Sequence, residues 1–172
     1  MTVAETIRTQ RAVREFTDEP LSEEAIHAIL NAGRRSQSSK NSQPWHFVAV
    51  RDKDILRELS QCGDFAGHLA GAAMGVALVA LAEPERQAWV MFDLGQAAAN
   101  MQLAAWELGI GSCIAAIYEP QKAQAILRVP DGLTCDVALS FGYPRSSGAR
   151  PRAGAGIAGR RSLGEVVHWD TW

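Results

Sequence analysis

Cysteine is scarce in this chain of 172 residues, and its three cysteines lie far apart without a CxxC pair. They are Cys62, Cys113 and Cys135. An odd number of isolated cysteines argues against a disulfide framework and against a thiolate metal site. The four histidines are scattered, and no two of them have the spacing of metal ligands. We therefore expect no metal site, and a reducing, cytoplasmic environment is the simplest interpretation.

Long apolar runs and a strong charge imbalance are also missing. The longest apolar stretch, residues 69–82, has about 14 residues, whereas a membrane-spanning helix needs about 20. The first residues, MTVAETIRTQRAVREF, are charged and lack the apolar segment of a signal peptide. The net charge of −2 provides no basic surface for nucleic acid or for an anionic membrane. We expect neither of these partners.

The motifs of several large enzyme classes are absent as well. The sequence has no GxGxxG after a strand, no P-loop, no GxSxG and no HExxH. We therefore expect neither a hydrolytic triad nor a metal centre, and we assign no catalytic side chain. The length suits one domain and is too short for two domains with separate cores, so residues 1–172 are expected to form a single domain.

The apolar periodicity predicts an alternation of helices and strands. Helices are expected at 3–9, 23–34, 52–61, 85–108 and 121–127, and strands at 46–51, 74–82, 112–116 and 136–141. The helix at 85–108 is apolar nearly all round, with small residues such as Gly95 and Ala99, which predicts burial on several sides. Residues 144–159 are rich in Gly, Ala, Arg and Pro and have no apolar period, so we predict an extended arm with little core of its own.

Two polar segments in the first third of the chain carry candidate binding residues. The candidates near the start are Arg8, Gln10, Arg11 and Arg14. The three arginines offer planar guanidinium groups that bind phosphate or an anionic ring edge in a bidentate manner, and Gln10 offers an amide. In the loop at 36–45, the hydroxyl and amide groups can grip phosphate or ribityl oxygens. They belong to Ser38, Ser39, Asn41 and Gln43. A solvated helix end and an ordinary turn are the alternative interpretations.

Two further candidates lie in the second half. The glycines of residues 109–113 (GIGSC) would let backbone approach a flat ligand closely, although a helix C-cap explains them equally. Arg160 and Arg161 follow the predicted arm in a basic run that has no acidic residue before Glu165. A solvated linker is the alternative for this pair.

Five segments, taken in order, resemble the nitroreductase family over almost the whole chain. They are RTQRAVREF (8–16) for RRSxRxF, SQSSKNSQPWHFVAV (36–50) for SPSxxNxQPWxFxVV, FDLGQAAANMQLAAWELGIGSC (92–113) for DxGxAxxNLxLAAxxLGLGSC, ALSFGYP (138–144) for xxxxGYP, and RRSLGEVVHW (160–169) for RxPLxxxVHW. The resemblance implies an α+β fold, with helices around a mostly antiparallel sheet. It also implies an intertwined homodimer with two FMN sites at the interface, in which residues 145–172 form an arm exchanged between subunits.

The resemblance also implies a role for each candidate residue. Arg11 and Arg14 match FMN contacts, with Arg14 near the N1 and C2 edge of the flavin, while Gln10 and Ala12 replace a common arginine and serine of the same segment. The loop residues match contacts to FMN held mainly by the other subunit, and the C-terminal arginines match phosphate ligands. The strand that passes the flavin near N5 corresponds to Ile114, Ala115 and Ala116.

The activity implied by the resemblance is hydride transfer from NADH or NADPH, through FMN, to a small organic acceptor such as a nitroaromatic or a quinone. The flavin supplies the chemistry, so no dedicated acid or base is required. Two alternatives stay open. One is a non-catalytic FMN carrier or redox sensor, and the other is a flavin-consuming or dehalogenating enzyme on the same scaffold.

Overall fold

The computed structural model describes residues 1–145 and 159–172, and its helices and strands confirm the predicted α+β class. The helices are α1 (Val3–Thr9), α2 (Glu23–Arg34), α3 (Lys53–Leu59), α4 (Gln87–Glu107) and α5 (Pro120–Leu127). The strands are β1 (His46–Val50), β2 (Met74–Leu81), β3 (Gly111–Ala116) and β4 (Leu133–Gly142). Short 3₁₀ turns lie at Ser39–Asn41, Gly67–Leu69 and Leu163–Glu165.

The strands form one antiparallel sheet in the order β1-β2-β4-β3, so β3 lies at an edge. Successive residues of β2 point to opposite faces and enter two separate cores. Met74, Val76 and Leu78 pack with residues of α2 and α4, whereas Ala77 and Val79 pack with residues of α3 and α5. A strand covered on both faces is apolar throughout, which explains the sequence MGVALVAL.

Local capping signals set the helix starts. The Ser22 hydroxyl accepts the N–H of Ala25 at 3.2 Å, as its predicted N-cap position requires. Asp52, which we had placed inside a helix, is instead the N-cap of α3, and its carboxylate accepts the N–H of Ile55 at 3.1 Å. Strand β4 begins earlier than predicted, at Leu133, because pairing with Leu81 of β2 extends the ladder beyond the apolar stretch.

Helix α4 departs from its predicted burial. Ala98 and Ala105 are buried as expected, but Gly95 and Ala99 are exposed in the single chain. Within the described residues of the single chain nothing covers this side, so its burial stays a prediction. Phe92, which is 65% exposed, continues the same side toward the start of the helix. We call Phe92, Gly95 and Ala99 the outer stripe of α4.

The C-terminal segment lies apart from both cores. Most of the predicted arm at 144–159 falls on residues 146–158, which lie outside the described residues. From 159 to 172 every residue except Val167 is exposed, including Trp169 at 82% and Trp172 at 100%. In the described part of the chain we find no helix with the length and hydropathy needed to span a membrane.

Candidate functional site

The N-terminal segment lies along the edge of the sheet. The N–H of Val13 donates to the carbonyl oxygen of Ser112 at 2.9 Å, and Ala12 forms a parallel bridge with the same residue of β3. Gly109, with φ of 76°, ends α4 in the left-handed conformation and turns the chain toward β3. A Cβ atom on Gly111 would lie 2.6 Å from Cβ of Val13, so the close approach of the two segments requires glycine there.

This placement brings two predicted arginines to the edge of β3. The Arg11 guanidinium carbon lies 5.3 Å from the centre of the Trp106 ring, and the indole N–H of Trp106 donates to Thr9 at 2.9 Å. Arg14 lines a cavity of about 280 Å³ that also includes His68 and Arg145. The cavity therefore holds two arginines and a histidine, together with the carboxylate of Glu15.

Sequence analysis missed His68 as a site residue. Its Nδ1 lies 2.7 Å from Ser140 Oγ, and its Nε2 lies 3.3 Å from the carbonyl oxygen of Ile114. Burial lowers the pKa of His68, the hydrogen bond to Ile114 opposes that shift, and the nearby charge of Arg14 adds to it. No sequence signal marked this residue, because its polar partners lie far away in the chain.

The predicted strand contacts on β3 differ in accessibility. The Ile114 side chain is 51% exposed, whereas Ala115 is fully buried in the core beneath α3 and α5. Ala116 is half-buried. In the single chain Ala115 therefore offers no accessible surface to a ligand. Contact through backbone groups, as the resemblance implied, stays a prediction.

The loop at 36–45 is fixed by side chains of α4. The N–H of Ser39 donates to both carboxylate oxygens of Asp93, at 3.1 and 3.3 Å, and the Asn100 amide donates to Ser36 Oγ at 2.7 Å. Within the loop, the N–H of Gln43 donates to Ser38 Oγ at 2.9 Å. Three of its residues have positive φ, namely Lys40, Asn41 and Gln43. The loop thus has a defined but strained backbone.

Asp93 is the second residue that sequence analysis did not single out. It is 4% exposed, an unusual position for a carboxylate. Its burial is compensated by the two contacts to Ser39 and by the Gln96 amide at 3.4 Å. An acidic residue inside an otherwise apolar helix was the signal available, since such a group needs a polar partner from elsewhere.

Residues 7–62 and 65–143 match the profile of the nitroreductase family. The chain belongs to the nitroreductase family. An Archaeoglobus fulgidus protein, whose name joins NADH dehydrogenase and NAD(P)H nitroreductase, is 34% identical over 81% of this chain and 83% of its own length.

Two further relatives extend the comparison. The FMN reductase (NADPH) of Bacillus subtilis is 30% identical over 86% of this chain and 68% of its own length. The structure of an FMN-dependent nitroreductase from Clostridium difficile has a TM-score of 0.83 at 25% identity, covering 97% of this chain and 98% of that one. The family resemblance and the helix-flanked antiparallel sheet expected from the sequence are thus confirmed.

The predicted loop and the N-terminal segment contact α4 at well-separated points. The loop contacts α4 at Asp93, whereas the N-terminal segment contacts it at Trp106, roughly 13 residues and therefore about 20 Å farther along the helix. Arg160 and Arg161 are exposed in the separate C-terminal segment. Arg14 thus shares a cavity with His68, which contacts β3, whereas the loop at 36–45 is anchored at the other end of α4.

Proposed function

We propose that two copies of the chain form a homodimer that binds FMN and passes hydride from NADH or NADPH to a small organic acceptor such as a nitroaromatic or a quinone. The family and the named relatives support an NAD(P)H-dependent oxidoreductase with FMN as its cofactor. The observation that carries the proposal is the cavity that Arg14, Arg145 and Glu15 line with His68. The Nε2 of His68 lies 3.3 Å from the carbonyl oxygen of Ile114, which connects this cavity to β3. Three free cysteines support a reducing, cytoplasmic setting.

The residues at this cavity fit FMN. Guanidinium groups suit one phosphate and an electron-rich ring edge, and the exposed Ile114 side chain offers an apolar surface to a flat ring. A Cβ atom on Gly67 or Gly71 would meet nothing within 4 Å, so the wall is open there. At about 280 Å³ the cavity is at the lower limit for a site of this kind, since such sites usually enclose roughly 300–1,000 Å³. One chain therefore supplies part of the site.

The remainder of the site is proposed to come from the second subunit. The loop containing Ser38, Ser39 and Asn41 contacts α4 at a point about 20 Å along the helix from the contact of the N-terminal segment in its own chain. A two-fold arrangement would bring the loop of one subunit to the cavity of the other. The outer stripe of α4 then gains a covering surface, and residues 145–172 cross between subunits and deliver Arg160 and Arg161.

Bound FMN supplies the hydride chemistry, and the protein's own groups bind and tune it. Arg11, Arg160 and Arg161 hold the phosphate in this proposal, with Gln10 and Ala12 beside them. Arg14 offsets negative charge at the N1 edge of the ring, an electrostatic role that matters most when charge is added. Ile114, Ala115 and Ala116 provide backbone groups near N5. Ser38, Ser39, Asn41 and Gln43 contribute hydroxyl and amide groups from the second subunit.

An absorption spectrum tests this proposal directly. The purified protein should be yellow, acid should release FMN rather than FAD, and anaerobic addition of NADH or NADPH should bleach the flavin bands. Addition of a nitroaromatic or a quinone should restore the colour. A colourless protein that takes up no FMN contradicts the proposal. A yellow protein that neither nicotinamide bleaches would be a carrier or a sensor instead.

A further inference from the structure

His68 lies in the wall of the cavity that contains Arg14 and has a polar partner at each ring nitrogen. Nδ1 is 2.7 Å from Ser140 Oγ, and Nε2 is 3.3 Å from the carbonyl oxygen of Ile114. Ser140 is fully buried, and its hydroxyl also lies 3.4 Å from the carbonyl oxygen of Cys113. The imidazole is thus held against the sheet while it faces the cavity.

These partners accommodate both protonation states of the ring. In neutral imidazole, Nε2–H donates to Ile114, and Nδ1 accepts the hydroxyl hydrogen of Ser140. In the cation, Nδ1–H donates to Ser140 Oγ, and the hydroxyl hydrogen turns to the carbonyl oxygen of Cys113. Rotation of one hydroxyl therefore exchanges the two states without leaving a buried polar atom unpaired. Such an arrangement suits a group that gains and loses a proton in place.

Burial and the charge of Arg14 favour the neutral ring of His68 while no ligand adds negative charge to the cavity. From the N-terminal segment and the end of β4, Arg14, Glu15 and Arg145 line the same cavity. From α3, the Lys53 ammonium group donates to the carbonyl oxygen of Ala72 at 2.7 Å. Burial is the main cause that lowers the pKa of His68, and Arg14 adds to it against the opposing hydrogen bond from Ile114. Its β3 and β4 partners are the carbonyl oxygen of Ile114 and the hydroxyl of Ser140, which carry no charge near pH 7.

We propose that His68 takes up a proton from solvent when FMN in this cavity is reduced, and gives it up when the acceptor is reduced. The inference rests on the proposed function. NAD(P)H donates two electrons and one proton as hydride, and His68 binds the second proton of the two-electron change. A quinone acceptor then leaves as the quinol, with the hydride and one proton. Negative charge added beside the imidazole stabilises its cation, which is the physical cause of the coupling.

The coupling makes the reduction equilibrium depend more steeply on pH. At a fixed electrode potential, each proton taken up with the electrons changes that equilibrium about tenfold per pH unit. When one proton is taken up with the two electrons, the reduction equilibrium changes about tenfold per pH unit. When His68 takes up a second proton, the equilibrium changes about a hundredfold per pH unit. The steeper region spans the pH interval between the two pKa values of His68, with oxidised and with reduced flavin.

The test is a dye-mediated redox titration of the FMN-loaded protein from pH 5.5 to 8.5, without NAD(P)H or acceptor. Wild-type protein should show the steep region, and His68→Gln should lose it while a side-chain amide remains to contact Ser140 or Ile114. Ser140→Ala should lose it too, because it leaves the imidazolium without a partner at Nδ1. His27→Gln is the matched control, since His27 is exposed on α2. Equal slopes in all four proteins would overturn the proposal.

A second measurement is needed if both His68→Gln and Ser140→Ala lose FMN. The imidazole of His68 in wild-type protein is titrated by NMR in the oxidised and the reduced state, and its pKa should be higher in the reduced state. An unchanged pKa overturns the role of His68 and leaves the proposed function intact. Flavin content is measured first, because a protein that takes up no FMN would overturn both.

Discussion

Arg14 is the residue whose proposed role depends most directly on charge. It lies exposed in the cavity beside His68, and its charge acts on that imidazole. Arg14→Ala should lower the reduction potential of bound FMN and slow its reduction by NAD(P)H more than it weakens FMN binding. A charge-assisted contact contributes about 1.5–3 kcal/mol, so the reduction equilibrium should fall by about tenfold or more. Only the reduced state develops the charge that Arg14 offsets.

Redox titration and flavin titration of the same samples provide the measurement. Arg57→Ala is a suitable control, because Arg57 is an exposed arginine on α3 paired with Asp54. An unchanged potential in Arg14→Ala would remove Arg14 from this role. An equal loss of affinity for oxidised and reduced FMN would make it an ordinary binding residue.

The buried cysteines predict a loss of stability in alkali. Burial, with a smaller contribution from Asp136, raises the pKa of the Cys135 thiol to about 12. In the unfolded chain a thiol ionises near 8.5, so between these values the folded protein keeps a proton that the unfolded chain has released. The contribution of the buried thiol is complete below about pH 8.5 and is lost as pH rises toward 12.

Cys135→Ala tests this linkage. From pH 8 to pH 10 the free energy of unfolding of wild-type protein should fall by about 2 kcal/mol more than that of the variant. Urea titrations at several pH values, with saturating FMN throughout, give both free energies. Parallel pH profiles would show that Cys135 does not titrate with the raised pKa described here.

At the scale of elements, the connection between α4 and the loop at 36–45 determines the geometry of half the proposed site. Asp93→Ala leaves the N–H of Ser39 without its carboxylate, and the strained residues that follow lose their anchor. We expect a loss of about 1–3 kcal/mol in stability, weaker FMN binding and faster amide exchange in the loop. Asp93→Asn should recover part of each loss, since an amide oxygen still accepts the N–H.

Hydrogen exchange of residues 38–43 and an FMN titration check this expectation. Gln96→Ala is the matched control, because Gln96 touches Asp93 from the same helix but not the loop. If the backbone amides of residues 38–43 exchange as slowly in Asp93→Ala as in wild type, the carboxylate only fills space. Loss of helix α4 itself would assign Asp93 to helix stability instead.

Sequence patterns predicted the elements better than the contacts between them. Helices α1 and α2 have the predicted bounds, because capping and apolar spacing are local properties. The bond from Ser39 to Asp93 spans 54 residues and that from His68 to Ser140 spans 72. Such pairs depend on how the sheet and helices pack, and the apolar periodicity of the sequence carries no information about that packing. For the same reason the pattern of α4 indicated an apolar helix without showing that Gly95 and Ala99 lack a cover in one chain.

At the scale of the whole molecule, three observations point to the same proposed dimer. The loop and the N-terminal segment contact α4 about 20 Å apart by its helical rise. The outer stripe of α4 is uncovered in one chain, and the C-terminal segment exposes Trp169 and Trp172. Large apolar side chains exposed together indicate a contact surface. A symmetric exchange of arms would cover both surfaces at once, because each subunit gives and receives the same contact.

The dimer and FMN binding should therefore be lost together when the arm is removed. A protein ending at Arg145 keeps every described strand, all five helices described here, and the bond from Arg145 to the carbonyl oxygen of Phe16 at 3.0 Å. It lacks Arg160 and Arg161 and the exposed tryptophans. A ligand that binds only the assembled dimer stabilises it by about 2.7 kcal/mol at a hundred times its dissociation constant, so loss of FMN weakens the dimer further.

Light scattering and flavin content of the protein truncated after Arg145, each with and without added FMN, measure both losses. The full-length double variant Arg160→Ala/Arg161→Ala separates the two functions of the arm. It keeps the apolar residues that would dock on the second subunit, so it should remain dimeric while FMN binding weakens by tenfold or more, about 1.4 kcal/mol. A truncated protein that stays dimeric and fully loaded with FMN would make residues 146–172 a solvated tail. The phosphate would then have to be held within the first 145 residues, with Arg11, Arg14 and Arg145 as the arginines nearest the cavity.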